Sequence, residues 1–284
     1  MKKIACFVGG GIKGIVSAQI VNQIELETAK PFVDQFDIIS GTSTGSIIAT
    51  MLSEGYSGKE IVELFGERGA DIFKSSRNFI SRMYKPKYDI SNLAEVLDDY
   101  LPDKRVSDVD KNLMLFSANK SKVEPKVFKS WKNKGYSLKD AVLASSAAPT
   151  FFKSAGNFTD GGVWANDPSI ETYAQVQDFK THHEKVKCLT IGTGYNPNDL
   201  SGKGSGFIYW GKNIVPFLME IQQRRSEYVM NKLLADDYLK LNPILESASS
   251  DMDDASTDNI KALLKDSARF IHQSPEFKKY KEII

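Results

Sequence analysis

Ser43 stands at the centre of Gly41-Thr42-Ser43-Thr44-Gly45, a G-x-S-x-G spacing. A serine hydroxyl becomes a useful nucleophile when a neighbouring base takes its proton. Alone the pattern is weak, since a chain of this length and composition shows one by chance roughly one time in ten. Its setting says more. The apolar run Phe36–Ser40 precedes it, and Ile47, Ile48, Met51 and Leu52 follow at helical spacing. Strand, sharp turn, helix is the context of a nucleophile elbow. Gly41 and Gly45 are small enough for the backbones to pass closely, and the partial positive charge of the helix N-terminus points at the reaction centre. The plain alternative is a glycine-rich turn with an incidental serine.

Gly9-Gly10-Gly11-Ile12-Lys13-Gly14 also lies between a strand-like and a helix-like run. A serine attacking an ester creates an oxyanion, which needs preorganised N–H donors. Consecutive glycines let the backbone approach and aim such donors, and the next helix adds its dipole. In a parallel sheet both loops fall on the C-terminal edge, so Gly10 and Gly11 can face Ser43. The same glycines fit a dinucleotide fingerprint, Gly9-x-Gly11-x-x-Gly14. That reading, a nucleotide-binding oxidoreductase, wants an acid at the far end of the second strand, whereas Asp37 lies at its beginning. A P-loop is excluded because no Gly-Lys-Ser/Thr closes the run.

The chain has three histidines. His182 and His183 precede the strand-like run Val186–Ile191, on the edge of the sheet opposite Ser43, and His272 ends a C-terminal helix. A carboxylate beside the hydroxyl can serve as base if burial or hydrogen bonding adjusts its basicity. Asp160, ending a short strand and followed by Gly161-Gly162, is the candidate. By itself Asp-Gly-Gly reads more readily as a tight turn.

Taken together, Gly-Gly-Gly-x-Lys-Gly, Gly-Thr-Ser-Thr-Gly and Asp-Gly-Gly resemble the patatin-like phospholipases. The likeness continues in Ser145-Ser146-Ala147-Ala148-Pro149, Gly192-Thr193-Gly194 and Asp253-Asp254-Ala255-Ser256, so it covers nearly the whole chain. It implies a three-layer α/β/α fold with a mainly parallel sheet and a Ser–Asp dyad that cleaves fatty-acyl esters of phospholipids or related lipids. By the resemblance Ser43 is the nucleophile, Asp160 the base, and the amides of Gly10 and Gly11 the oxyanion hole. Gly9, Lys13, Gly14, Gly41, Gly45, Gly161 and Gly162 complete the motifs. The family often has alanine where Gly162 stands. An acyltransferase would use the same dyad, and a binding or storage protein would carry a vestigial one. Some bacterial relatives are effectors switched on by a signal such as a cyclic nucleotide; no residue here identifies a regulatory ligand. The chemistry needs no metal or organic cofactor.

The elements that must position these residues follow from periodicity. Ile4–Val8 is a short apolar run suited to a buried strand, and Ile12, Ile15, Val16, Ile20 and Ile24 recur at helical spacing as far as Lys30-Pro31. With Phe36–Ser40 and the helix closed by Gly55, this opens an α/β fold. Further helices are expected at Ser57–Phe73, Ser91–Tyr100, Ser137–Ser145, Asp167–Phe179, about Pro216 to Ala235, and Thr257–Ile271. Strands are expected at Leu113–Ala118, Lys126–Ser130, Asn157–Asp160 and Val186–Ile191, and a glycine-rich loop at Ser201–Gly211. With no repeat or linker to divide it, residues 1–284 read as one domain.

Composition narrows the rest. The 284 residues are 41 % hydrophobic and 26 % charged, as in an ordinary globular protein, and the net charge of +1 offers no argument for nucleic acid. Cys6 and Cys188 sit in apolar runs and read as buried thiols of a reduced, cytoplasmic protein. The apolar run after Lys2-Lys3 is too short for a signal peptide, and no stretch is long enough to span a membrane. Lipid contact is therefore expected to be peripheral. Phe73–Tyr88 mixes aromatic and basic residues and is either a membrane-facing segment or a core element with a solvated face. Phe207-Ile208-Tyr209-Trp210, with Ile214, Phe217 and Leu218, either covers an acyl channel or packs in the ordinary way. The aspartates at 251, 253, 254 and 258 lack an EF-hand's glycine and glutamate and read as a solvated helix start.

Overall fold

The structure, a computed structural model, describes residues 1–75, 84–132, 134–177, 184–197 and 207–284; in the helix from 207, the side chains of 207–213 and 216 are not among them. The elements that carry the site come first. Strand β1 (Lys2–Phe7) leads through a tight 3-10 turn at Gly11–Lys13 into α1 (Gly14–Thr28). Strand β2 (Ile38–Thr42) ends one residue before Ser43, and α2 (Thr44–Ser53) starts one residue after it. Helices α3 (Gly58–Ile72) and α4 (Ile90–Tyr100) follow, then the hairpin β3 (Asn112–Asn119) and β4 (Glu124–Lys129). Next come α5 (Leu138–Ser146), β5 (Phe158–Asp160), α6 (Ser169–Val176) and β6 (Val186–Ile191). The chain closes with α7 (Phe207–Leu234), β7 (Tyr238–Leu241), α8 (Thr257–Gln273) and two single-turn helices, α9 (Pro275–Lys278) and α10 (Tyr280–Ile283).

The sheet runs β4-β3-β2-β1-β6-β7, with β5 pairing β3. Neighbours from β3 to β7 are parallel, and only β4 and β5 run antiparallel to β3. Parallel strands need helical crossovers, and those crossovers cover both faces. Alternation along each strand divides the core in two. Ala5, Phe7, Ile39, Leu115 and Ile191 face α1, α2, α3, α5 and α8. Ile4, Cys6, Ile38, Phe116 and Cys188 face Val176 of α6 and Met230 of α7. Three layers result, as the sequence led one to expect.

Local chemistry fixes several helix starts. Ser57 caps α3 in a capping box with Glu60, and Ser137 and Ser256 accept from the amides of Asp140 and Asn259. Each such cap satisfies an amide that has no partner inside its helix. Two expectations needed correcting. Strand β7 has no counterpart in the sequence reading. Helix α7 begins at Phe207, so Gly211 and Pro216 lie within it and not in or beside a loop. An interior proline removes one backbone bond and costs about 3 kcal/mol, which the other bonds of a long helix can offset. Residues 201–206 of the expected loop, 76–83 of the basic aromatic segment, and His182 and His183 lie outside the described residues. Among the described residues, no helix is long and apolar enough to cross a membrane.

Candidate active site

The site is assembled on β3. Strand β2 pairs with β3 as far as Thr42, opposite Phe116. There β2 leaves the sheet, and the vacated lane beside Ser117 is taken from the other end by β5, with Asp160 opposite Ser117. One strand therefore sets Thr42 and Asp160 at adjacent registers, although 118 positions separate them in the chain. Ser43 follows at once, with φ 55° and ψ −127°. That left-handed backbone is rare for a residue with a side chain and holds on the order of 1–3 kcal/mol of strain. Only glycines fit beside it. A Cβ on Gly41 would lie 2.0 Å from the Gly45 carbonyl oxygen, and one on Gly45 would lie 2.2 Å from that of Phe7.

Serines the sequence reading gave no role hold the strained turn. Ser145 Oγ accepts the Ser43 N–H at 3.1 Å and donates to the Phe116 carbonyl at 2.6 Å. Ser146 and Ser46 both donate to the Ser43 carbonyl, at 3.2 and 2.6 Å. The backbone of Ser43 is thus bonded on both sides.

Asp160 is almost wholly buried. Its carboxylate accepts the Gly162 N–H at 2.6 Å, and the Ser43 side chain is its neighbour. Burial pushes its pKa up to about 6, and the neighbouring Ser43 hydroxyl and the Gly162 amide hold it back from rising further. Of the histidines, His272 ends α8. Gly161 packs on the Phe116 carbonyl, where a Cβ would come within 2.3 Å.

The glycine turn meets Ser43 from β1. A Cβ on Gly9 would sit 3.0 Å from that of Ser43, so the two backbones nearly touch. The Gly9 N–H is taken by the Asn166 carbonyl at 3.1 Å, and the Gly9 carbonyl accepts from the Asn166 amide and Thr193 hydroxyl, both at 3.4 Å. Among the described residues, nothing accepts the N–H of Gly10 or Gly11. Gly14 packs on the Thr44 side chain, bringing the starts of α1 and α2 together. Half-buried Lys13 has its pKa lowered by burial, with Glu220 and Asp251 pulling the other way. Above the turn lies the Met252 carbonyl, which accepts the Ile12 N–H at 2.8 Å. A dinucleotide pyrophosphate would need that amide and that space.

Ser43, Asp160, Gly11 and Gly162 open onto a cavity of about 170 Å³. Its wall is apolar, with Ile47, Phe65, Ile72, Phe73, Leu93, Phe151 and Phe152 on one side and Val215, Leu218 and Met219 of α7 on the other. Phe73 and Tyr88, the ends of the basic aromatic segment, pack at a tilt against Phe152 and belong to this packing. Leu218 lines the cavity as the sequence reading allowed. The side chains of Phe207–Trp210 are outside the described residues. Cys6 and Cys188 are free and buried in the sheet, and burial pushes the Cys188 thiol well up.

A cGAMP-activated phospholipase of Escherichia coli (strain TW11681) is 31 % identical, over 90 % of this chain and 84 % of its own. Patatin-like protein 2 of Arabidopsis thaliana is 27 % identical over 90 % of this chain and 79 % of its own. Among solved structures, VipD from Legionella pneumophila superposes with a TM-score of 0.49 and 14 % identity, over 94 % of this chain and 66 % of VipD. The family model for patatin-like phospholipases matches residues 5–172, more than half of the chain, and the chain belongs to that family.

Proposed function

We propose that this chain hydrolyses fatty-acyl esters of phospholipids or lysophospholipids, with Ser43 as nucleophile and Asp160 as base. The observation that carries the reading is the seam on β3, which brings a strained serine and a buried carboxylate together at the head of an apolar cavity. Asp160 takes the Ser43 proton as the serine oxygen bonds to the ester carbon. The carbonyl oxygen gathers negative charge and is met by the amides of Gly10 and Gly11 and the N-terminus of α2. Collapse breaks the bond to the alcohol, whose oxygen takes the proton from Asp160. Water then attacks the acyl-serine, gives its proton to Asp160, and releases the fatty acid as Ser43 recovers a proton.

The cavity sets the acyl end of the substrate. An engineered core cavity of about 150 Å³ holds one benzene, so this one holds about six carbons, with the rest of a longer chain leaving over Val215 and Leu218. Those side chains are 37 % and 49 % exposed, and Ile214 and Ile221 continue the exposed stripe along α7. An amphipathic rim of this kind meets a lipid surface from one side.

The experiment is labelling with a fluorophosphonate followed by peptide mapping, beside hydrolysis of p-nitrophenyl acyl esters. The probe is expected on Ser43, and Ser43→Ala is expected to lose both label and activity. Full activity in Ser43→Ala would refute the assignment. Because three relatives are named for activation by cGAMP, the assay is run with and without added cGAMP. Adding an alcohol acceptor and identifying the products separates hydrolysis from acyl transfer.

A further inference from the structure

The loop at 251–254, ahead of α8, touches the glycine turn without containing any group of the proposed chemistry. Its Met252 carbonyl accepts the Ile12 N–H at 2.8 Å, one residue beyond the paired glycines. A Cβ on Gly11 would come within 2.0 Å of that oxygen, so the loop lies flat against the turn. Met252 also lines the cavity. One residue on, Asp253 Oδ2 accepts the Tyr88 hydroxyl at 2.6 Å and forms an ion pair with the Lys87 ammonium. That carboxylate is 12 % exposed.

Its partners are themselves fixed. The Lys87 and Tyr88 amides donate to the Thr150 and Phe151 carbonyls at 2.9 and 2.7 Å. The Tyr88 ring packs among Phe73, Phe151 and Phe152. Burial and the neighbouring Asp253 push the Tyr88 hydroxyl up to about 12, so it remains a donor at every pH the enzyme would meet. On the other side of Asp253, the Asp254 carbonyl accepts from the Asn259 side chain at 2.7 Å. The loop is thus tied to the cavity wall at one point and to α8 at another.

We propose that Asp253 is a positioning residue which, through the Met252 carbonyl, clamps the Gly10-Gly11-Ile12 turn in the conformation that presents its amides to Ser43. This rests on the oxyanion role proposed above for Gly10 and Gly11. The physical need is plain. Glycine has the most backbone freedom to lose, and fixing each residue costs roughly 1–2 kcal/mol. An oxyanion hole helps only to the extent that its donors are aimed before the charge develops. A single hydrogen bond from a loose loop would not aim them. One from a loop held by two charge-assisted bonds does.

The test compares Asp253→Ala and Asp253→Asn with the wild type on a soluble p-nitrophenyl ester, with cGAMP added if the wild type requires it. Melting temperatures and fluorophosphonate labelling rates are measured alongside. Losing one oxyanion donor outright costs about 10²–10³ in kcat, so loosening the turn in Asp253→Ala should lower kcat by roughly 10–100-fold. KM should stay within about threefold, because the lost interaction is made only in the transition state. Asparagine keeps an oxygen for Tyr88 and should recover most of the rate. Wild-type kcat in Asp253→Ala, or a raised KM with kcat retained, overturns the proposal. If Asp253→Ala does not fold, Lys87→Met/Tyr88→Phe removes both donors and leaves the carboxylate: lowered kcat at unchanged KM supports the clamp, and wild-type kcat overturns it. A wild-type chain with neither esterase activity nor label on Ser43 overturns the catalytic reading and the clamp with it. A wild type with both, matched by Asp253→Ala, overturns the clamp alone.

Discussion

Asp160 is pulled two ways by its surroundings, and the two pulls predict opposite effects of one substitution. Its folded pKa of about 6 lies above the ordinary 3.8, chiefly because burial penalises the charge. Proton acceptance needs the ionised form, so kcat/KM should rise with pH through about 6 and level off above it. Stability runs the other way. The raised pKa favours folding fully below pH 3.8, and that contribution is lost as pH rises through 6. Asp160→Asn should therefore cost about 10²–10⁴ in kcat while stabilising the fold at pH 8 by ~1–3 kcal/mol. Urea denaturation at pH 8 and pH 4 checks it, with the gain expected at the higher pH and little of it at the lower. Equal stability of the two proteins at pH 8 would contradict the burial argument. Ser43 and Asp160 stood out in the sequence because glycines flank them, and those glycines lie where close backbones demand them. Ser145 and Asn166 had no such signature. Their roles depend on the Ser43 N–H and the Gly9 backbone being brought to them by the fold.

At the scale of elements, the glycine turns and the helices behind them were readable, since an apolar run, a turn and a 3.6-residue period are local signals. Strand β7 was not. It is four residues long, Tyr238–Leu241, carries Lys240, and owes its strand form to pairing with β6. The meeting of β2 and β5 on β3 was equally hidden, because register is a long-range property. The helix expected from about Pro216 in fact starts nine residues earlier, since proline weakens a helix without always beginning one. This longer α7 carries an apolar stripe that is more exposed than packing alone explains, with Ile214 38 % and Ile221 47 % exposed beside cavity-lining Leu218. Neither isoleucine lines the cavity. Ile214→Asp/Ile221→Asp should keep kcat/KM on a soluble short-chain ester and lose roughly tenfold or more on phospholipid vesicles, as apolar surface that would insert is replaced by charge. Equal losses on both substrates would show that the stripe does not face lipid.

At the scale of the molecule, the face of the sheet covered by α6 and α7 hides a polar core that the site depends on indirectly. Lys240 of β7 reaches Asp167 at 3.1 Å, with side chains 4 % and 0 % exposed, and Glu227 of α7 lies 3.6 Å from the same ammonium. Asp167 follows Asn166, whose carbonyl and side chain hold Gly9, and its own oxygen caps the Ser169 amide at 3.1 Å. Edge strand, outer helix and glycine turn are therefore joined through one buried ion pair. Removing one member leaves the other charged and unpaired in a dry site, which costs about 3–5 kcal/mol, whereas replacing both with apolar groups is often close to neutral. Lys240→Met should then lower stability by that amount in urea denaturation at pH 8. Lys240→Met/Asp167→Leu should recover much of the loss, short of the part owed to the Ser169 cap. Glu171 adds a pH signature. Burial first, and Asp167 second, push its carboxyl up to about 7. A raised acid favours folding below its unfolded value of 4.5, and that advantage disappears as pH rises through 7, where a second negative charge appears beside Asp167. The wild type should accordingly lose stability between pH 5 and pH 8. Arg225 pulls the Glu171 carboxyl the other way, and Glu171→Gln should flatten that loss. If Lys240→Met proved as stable as the wild type across that range, the buried pair would have no part in holding β7 and α7 to the sheet, and the link from edge strand to glycine turn would be broken.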